Sequence, residues 1–171
     1  MLPEKTKMRK KTRIYLDASF VNYLVAYRLP DKMADSLTLW DIFAAGERFE
    51  VLFSDLLDKE LDSCYEPKRT LLYEKLEEIT FERVAETQEA TDLAKHYLES
   101  GVLAPEHYGD LLHVAIATAN QCKLLVSWNF KHMVNDQTMD RVNAVHLVTE
   151  YDPIRLVSPS TLLGELGYEK R

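Results

Sequence analysis

The 171-residue chain is 46% hydrophobic and 29% charged, with only 5 Gly and 6 Pro. These proportions exclude a disordered tail, a collagen-like repeat and a low-complexity linker. The length suits one well-buried core and is short for two. No apolar run approaches the roughly 18 residues of a membrane span, and the basic start leads into charged sequence rather than a signal-peptide core. A soluble, cytoplasmic protein without a membrane partner is expected. Cys64 and Cys122 form no CxxC pair and have no zinc-type His spacing around them, so buried free thiols are expected rather than a disulfide or structural zinc.

The 21 basic residues are outnumbered by 28 acidic ones, for a net charge of −7. That balance argues against a nucleic-acid partner, but its distribution qualifies the argument. Lys5, Lys7, Arg9, Lys10, Lys11 and Arg13 face a single acid, Glu4, so the first 13 residues carry +5 and the remainder −12. The chain therefore divides into a basic arm over 1–12 and one domain over 13–171. The arm is either a solvated terminus or a nucleic-acid contact.

In chain order, residues 13–16 alternate as a strand, and an apolar helical stretch runs over 19–27 until Pro30 closes it. A second helix is predicted over 35–45 with Gly46 as its stop, then a strand over 49–53. Helices follow over 55–65 and 69–79, a strand over 81–85, and a helix over 87–100 ending at Gly101. A strongly apolar helix lies within 105–121, a buried strand over 123–127, a helix over 139–148, a strand over 154–157 and a terminal turn over 160–164. Alternation of roughly four to five strands with helices predicts an α/β fold, a central parallel sheet covered by helices on both faces.

Sites in such sheets form outside the carboxyl ends of the strands. Asp17 directly follows the first strand, Asn129 follows the strand at 123–127, and Asp110 opens the apolar helix, where free N–H groups favour a carboxylate. On a helical wheel with Leu57 at zero, Glu60 falls at about −60°, inside the stripe of Leu56, Leu57, Leu61 and Cys64, so it is expected to point inward and to need a cation or a metal. On the later helix His113 and Asn120 lie near Asp110's side of an otherwise apolar surface interrupted by Thr118. Each residue has an ordinary alternative: Asp17 as a helix cap, Asp110 as a first-turn acid, Asn129 as a turn residue, Glu60 as the partner of an internal Lys or Arg. Independent caps, however, have no reason to collect on one rim beside an inward Glu.

The segments R-I-Y-L-D-A-S at 13–19, S-D-L-L-D-K-E-L at 54–61, G-D-L-L-H-V-A-I-A at 109–117, L-V-S-W-N-F-K-H at 125–132 and P-I-R-L-V-S-P at 153–159 resemble the PIN-domain family, particularly its compact VapC-like members. The resemblance implies a PIN-like three-layer fold and a magnesium- or manganese-dependent ribonuclease site. The family's acidic positions carry over onto Asp17, Glu60, Asp110 and Asn129 as the catalytic and metal-ligating set, with Ser19 supporting the first acid. Asn129 stands where Asp is frequent, and Ala18 where Thr is frequent. The resemblance also implies an RNA substrate, a small antitoxin protein as partner and a homodimer.

Two carboxylates about 5 Å apart repel by roughly 3 kcal/mol at an effective dielectric near 20, so an acidic cluster demands a cation. Oxygen donors suit Mg²⁺ or Mn²⁺, where thiolates and imidazoles would have suggested zinc. The bound ion would also reverse the local sign of an acidic body toward a polyanion. Lys131, Arg155 and the basic arm are candidate phosphate contacts. For Lys131 and His132 a solvated helix start is the alternative. His113 is expected to hydrogen-bond within the site wall, and His96, His107 and His146 have no motif around them. Trp128 and Phe130 suit core packing or stacking on a base.

The rival to the ribonuclease is a noncatalytic PIN-like module that binds RNA or a partner protein. A haloacid-dehalogenase-type phosphatase also begins strand-Asp, but it needs a second Asp two residues on, where this chain has Ser19.

Overall fold

The computed structural model describes residues 10–168; positions 1–9, which hold most of the expected basic arm, lie outside the described residues. The first strand, β1 (Thr12–Leu16), occupies the centre of a five-stranded sheet of order β3-β2-β1-β4-β5, with β2 Phe49–Ser54, β3 Glu82–Val84, β4 Leu124–Val126 and β5 Arg155–Val157. Every neighbouring pair is parallel. Ile14 stands between Val51 and Leu124, and Tyr15 between Leu52 and Leu125. These strands read as unbroken apolar runs because both faces of the sheet are covered.

Strand periodicity sends Ile14 and Leu16 to one face and Tyr15 to the other. The first face is packed by Phe20 and Val21 of α1 (Ala18–Tyr23), Leu39, Trp40 and Phe43 of α2 (Pro30–Ala45), Leu57 and Leu61 of α3 (Asp55–Asp62) and Leu72 and Leu76 of α4 (Lys68–Leu76). The last helix, α8 (Pro159–Glu165), adds Leu162 and Leu163. The second face is packed by α5 (Gln88–Glu99), α6 (Tyr108–Ala119) and α7 (Asp136–Thr149). No helix among the described residues is long and apolar enough to cross a membrane.

Several boundaries differ from the sequence reading. Pro30 opens α2 rather than closing α1, because proline is tolerated in a first helical turn, where its missing N–H has no acceptor to lose. The first helix accordingly ends at Tyr23, and residues 24–29 form turns. Asn135 caps α7 by accepting from Thr138 N at 2.8 Å, which starts that helix at Asp136. Cys122 is buried and its thiol is pushed up to about 12 by that burial, whereas Cys64 is only partly buried.

His146 illustrates how the second face is sealed. Its Nδ1 meets the Asp152 carbonyl at 2.8 Å and its Nε2 the Tyr97 hydroxyl, so both ring nitrogens have partners. Burial lowers its pKa, against the opposing carbonyl bond.

Candidate active site

The carboxyl ends of β1, β2 and β4 meet at one rim. Asp17 leaves β1 and caps α1, its Oδ1 accepting from Phe20 N at 3.1 Å and from Ser19 Oγ at 2.7 Å. Its Oδ2 accepts from Ser127 Oγ, just past β4, at 2.6 Å. Ser19 Oγ in turn accepts from Trp128 N at 3.0 Å, and Ser127 Oγ from Asn129 N at 2.9 Å. Two hydroxyls thus hold one buried carboxylate between adjacent strands. Burial pushes the Asp17 carboxyl up, opposed by the Ser127 bond, the charge of His113, Ser19 and the Phe20 amide.

Removal of the Ser127 hydroxyl should therefore register in stability. A Ser127→Ala variant leaves Asp17 Oδ2 and the Asn129 amide short of a partner, an expected loss of about 1.5–3 kcal/mol in a urea titration. An unchanged midpoint would mean that Asp17 does not depend on this contact.

His113, on the second turn of α6, is buried beneath the rim. The Tyr15 hydroxyl donates to Ser54 Oγ at 2.7 Å, so it accepts from His113 Nδ1–H at 2.6 Å. His113 Nε2 lies 3.3 Å from Glu60 Oε1, and a carboxylate can only accept. Both ring nitrogens thus have an oxygen within reach. Burial alone would lower the His113 pKa, but the Glu60 bond and the charges of Asp17, Glu60 and Asp110 outweigh it and the net direction is upward. His113 is thus the imidazole that the fold sets against Glu60, within the field of Asp17 and Asp110.

Glu60 differs from its expected position. Its side chain is 47% exposed. The helical stripe that placed it inward included Leu56 and Cys64, which are only partly buried, and α3 buries Leu57 and Leu61 alone. Glu60 consequently sits on the helix shoulder, toward His113.

Asp110 lies in the first turn of α6, which begins at Tyr108, and is one-quarter exposed. Its Oδ2 is 3.2 Å from His132 Nδ1. Asn129 serves as a turn residue, with Oδ1 accepting from His132 N at 3.0 Å. Of the proposed phosphate contacts, Lys131 is exposed beside Phe130 and Arg141 around a shallow groove. Arg155 opens β5, opposite Leu124, so it lies toward the amino ends of the strands, and its guanidinium pairs with Glu165. That position corrects its expected place on the rim.

Trp128 is buried with its Nε1 on Ser36 Oγ at 2.8 Å, as core packing requires, whereas Phe130 is 47% exposed. Lys32 Nζ lies 5.5 Å from the Trp128 ring and 5.6 Å from those of Tyr23 and Phe130. His107, on a short 3-10 turn (Pro105–His107), stacks on His132 with ring centroids 3.7 Å apart. In the sequence this pair is marked only by His107 standing three residues before Asp110, one helical turn away.

Glu60 contacts His113, and no described Lys or Arg forms an ion pair with Asp17, Glu60 or Asp110. The three carboxylates do not form a group with donor atoms within 4.8 Å of one another; among the described residues His107, Asp110 and His132 do. Carboxylate oxygens are the donor type that Mg²⁺ or Mn²⁺ takes through one or two side chains, with water completing the shell.

No protein-family model matches the chain. No curated protein matches it either. Among solved structures, a chain of VapBC2 from Rickettsia felis, crystallised bound to a DNA fragment from the promoter, superposes with a TM-score of 0.55 at 15% identity, over 86% of this chain and 98% of that one. At this identity the likeness shows the fold: an α/β architecture with an all-parallel sheet, consistent with the PIN-like arrangement.

Proposed function

We propose that this protein is a Mg²⁺- or Mn²⁺-dependent endoribonuclease of the VapC-like PIN type, the toxin of a toxin–antitoxin pair. The observation that carries the reading is that Asp17 on Ser127, Glu60 against His113, and Asp110 and Asn129 on His132 stand at the carboxyl-end rim of the strands, with no described Lys or Arg paired to any of the three acids. Independent support comes from the fold shared with a chain of a VapBC complex. A small antitoxin protein, an RNA substrate and a homodimer belong to the same proposal.

In this reading Asp17 and Asp110 would hold the ion, with Glu60 and Asn129 reaching it through water or after side-chain rotation. The ion supplies a water of lowered pKa and charge neutralisation at the scissile phosphate. Ser19 and Ser127 hold Asp17 in one orientation. His113 limits repulsion among the acids and keeps Glu60 at the rim. Lys131, two residues after Asn129 in the chain, is the candidate for a flanking phosphate.

A Mn²⁺ titration tests the reading: cleavage of single-stranded RNA and a rise in thermal midpoint should appear over the same concentrations. Absence of both favours the noncatalytic module that binds RNA or protein. Two features would suit that module, the commitment of Asn129 Oδ1 to the His132 amide and the matching of Glu60 by His113.

A further inference from the structure

We infer that His107, Asp110 and His132 form a second metal site, selective for a zinc-class divalent transition ion rather than for Mg²⁺. One donor atom from each residue lies within 4.8 Å of the other two. His107 caps α6 one helical turn before Asp110, whereas His132 comes from the turn after β4. The meeting of His132 with the other two is therefore tertiary.

The chemistry of the donor set differs from that of the carboxylate rim. Two imidazoles and one carboxylate suit Zn²⁺, Co²⁺ or Ni²⁺, whereas Mg²⁺ prefers oxygen alone. In tetrahedral coordination with bonds near 2.0–2.1 Å, neighbouring donors sit about 3.3–3.4 Å apart. The 3.2 Å between His132 Nδ1 and Asp110 Oδ2 already approaches that edge. The two rings stack at 3.7 Å with planes 29° apart, which brings both imidazoles to the same side of Asp110. Exposures of 29%, 25% and 22% for His107, Asp110 and His132 leave an approach for the ion and for a water in the fourth position. Glu106, with Oε1 3.6 Å from His107 Nε2, adds negative charge beside the site.

Asp110 belongs to both this trio and the proposed nuclease centre. If the nuclease reading holds, zinc on the trio draws Asp110 away from the rim and suppresses Mn²⁺-dependent cleavage. This consequence rests on that reading; the binding site itself does not.

The experiment adds Co²⁺ as a spectroscopic substitute for zinc to the intact protein in excess Mg²⁺. One equivalent should develop the visible absorption of low-symmetry cobalt, and Zn²⁺ should abolish it by displacement. His107→Ala and His132→Ala should each weaken Co²⁺ binding by about 100-fold, and Asp17→Asn should retain it. Far-UV circular dichroism and a His132→Gln variant separate loss of ligation from loss of fold. Binding that both His substitutions leave intact, or no stoichiometric spectrum in the folded wild type, overturns the inference. Co²⁺ binding without any Mn²⁺-dependent cleavage would sink the nuclease reading alone; cleavage without a His-dependent Co²⁺ spectrum would sink the second site alone.

Discussion

An Asp17→Asn variant is expected to lose Mn²⁺-dependent RNA cleavage by about 100-fold or more, equivalent to ~2.7 kcal/mol of barrier, while folding as well as the wild type. The amide keeps an oxygen for the Phe20 N–H, so the cap on α1 survives. Its NH₂ group faces Ser127 Oγ, which can accept as well as donate. What disappears is the negative charge. Because burial disfavours that charge in the native protein, its removal should leave metal-free stability equal or higher. Single-turnover cleavage and a urea titration without metal check the two halves. Full activity in this variant would remove Asp17 from the site.

The largest expected effect on stability is at Trp40. This side chain is 1% exposed on α2, with ring centroids 6.1 Å from Phe20 and 6.5 Å from Phe53, so it joins α1, α2 and β2. Its Nε1 donates to Glu78 Oε2 at 3.0 Å. Trp40→Ala should cost about 3–5 kcal/mol by chemical denaturation, against a total stability of roughly 5–15 kcal/mol. Phe20 follows Asp17 by three residues and donates its amide to it, so a loosened Trp40 contact also loosens the cap. Trp40→Phe, which keeps most of the volume, should cost clearly less. A loss below about 1 kcal/mol for the alanine variant would show that the cavity collapses around the site.

Much of the architecture was legible because its signals are local. The runs around Ile14, Val51 and Leu125 are apolar over successive residues, which a strand can satisfy only when both faces are covered. Gly46, in the left-handed region at φ 69°, ended α2 as a glycine does without steric cost. Pro30 was read in the wrong sense because proline terminates a preceding helix and starts a following one with the same residue. Glu60 failed for a different reason. A wheel gives angular position, whereas burial depends on which stripe residues the neighbours cover, and only Leu57 and Leu61 are covered.

Sequence by itself determined the parallel α/β class and put Asp17 and Asn129 just past the ends of two strands, because periodicity and strand ends are properties of neighbouring residues. Tertiary structure alone decided that His113 meets Glu60, that Arg155 stands toward the opposite end of the sheet with Glu165, and that His107 meets His132. Those outcomes depend on distances between residues far apart in the chain, and electrostatic energies follow distance and burial rather than residue order.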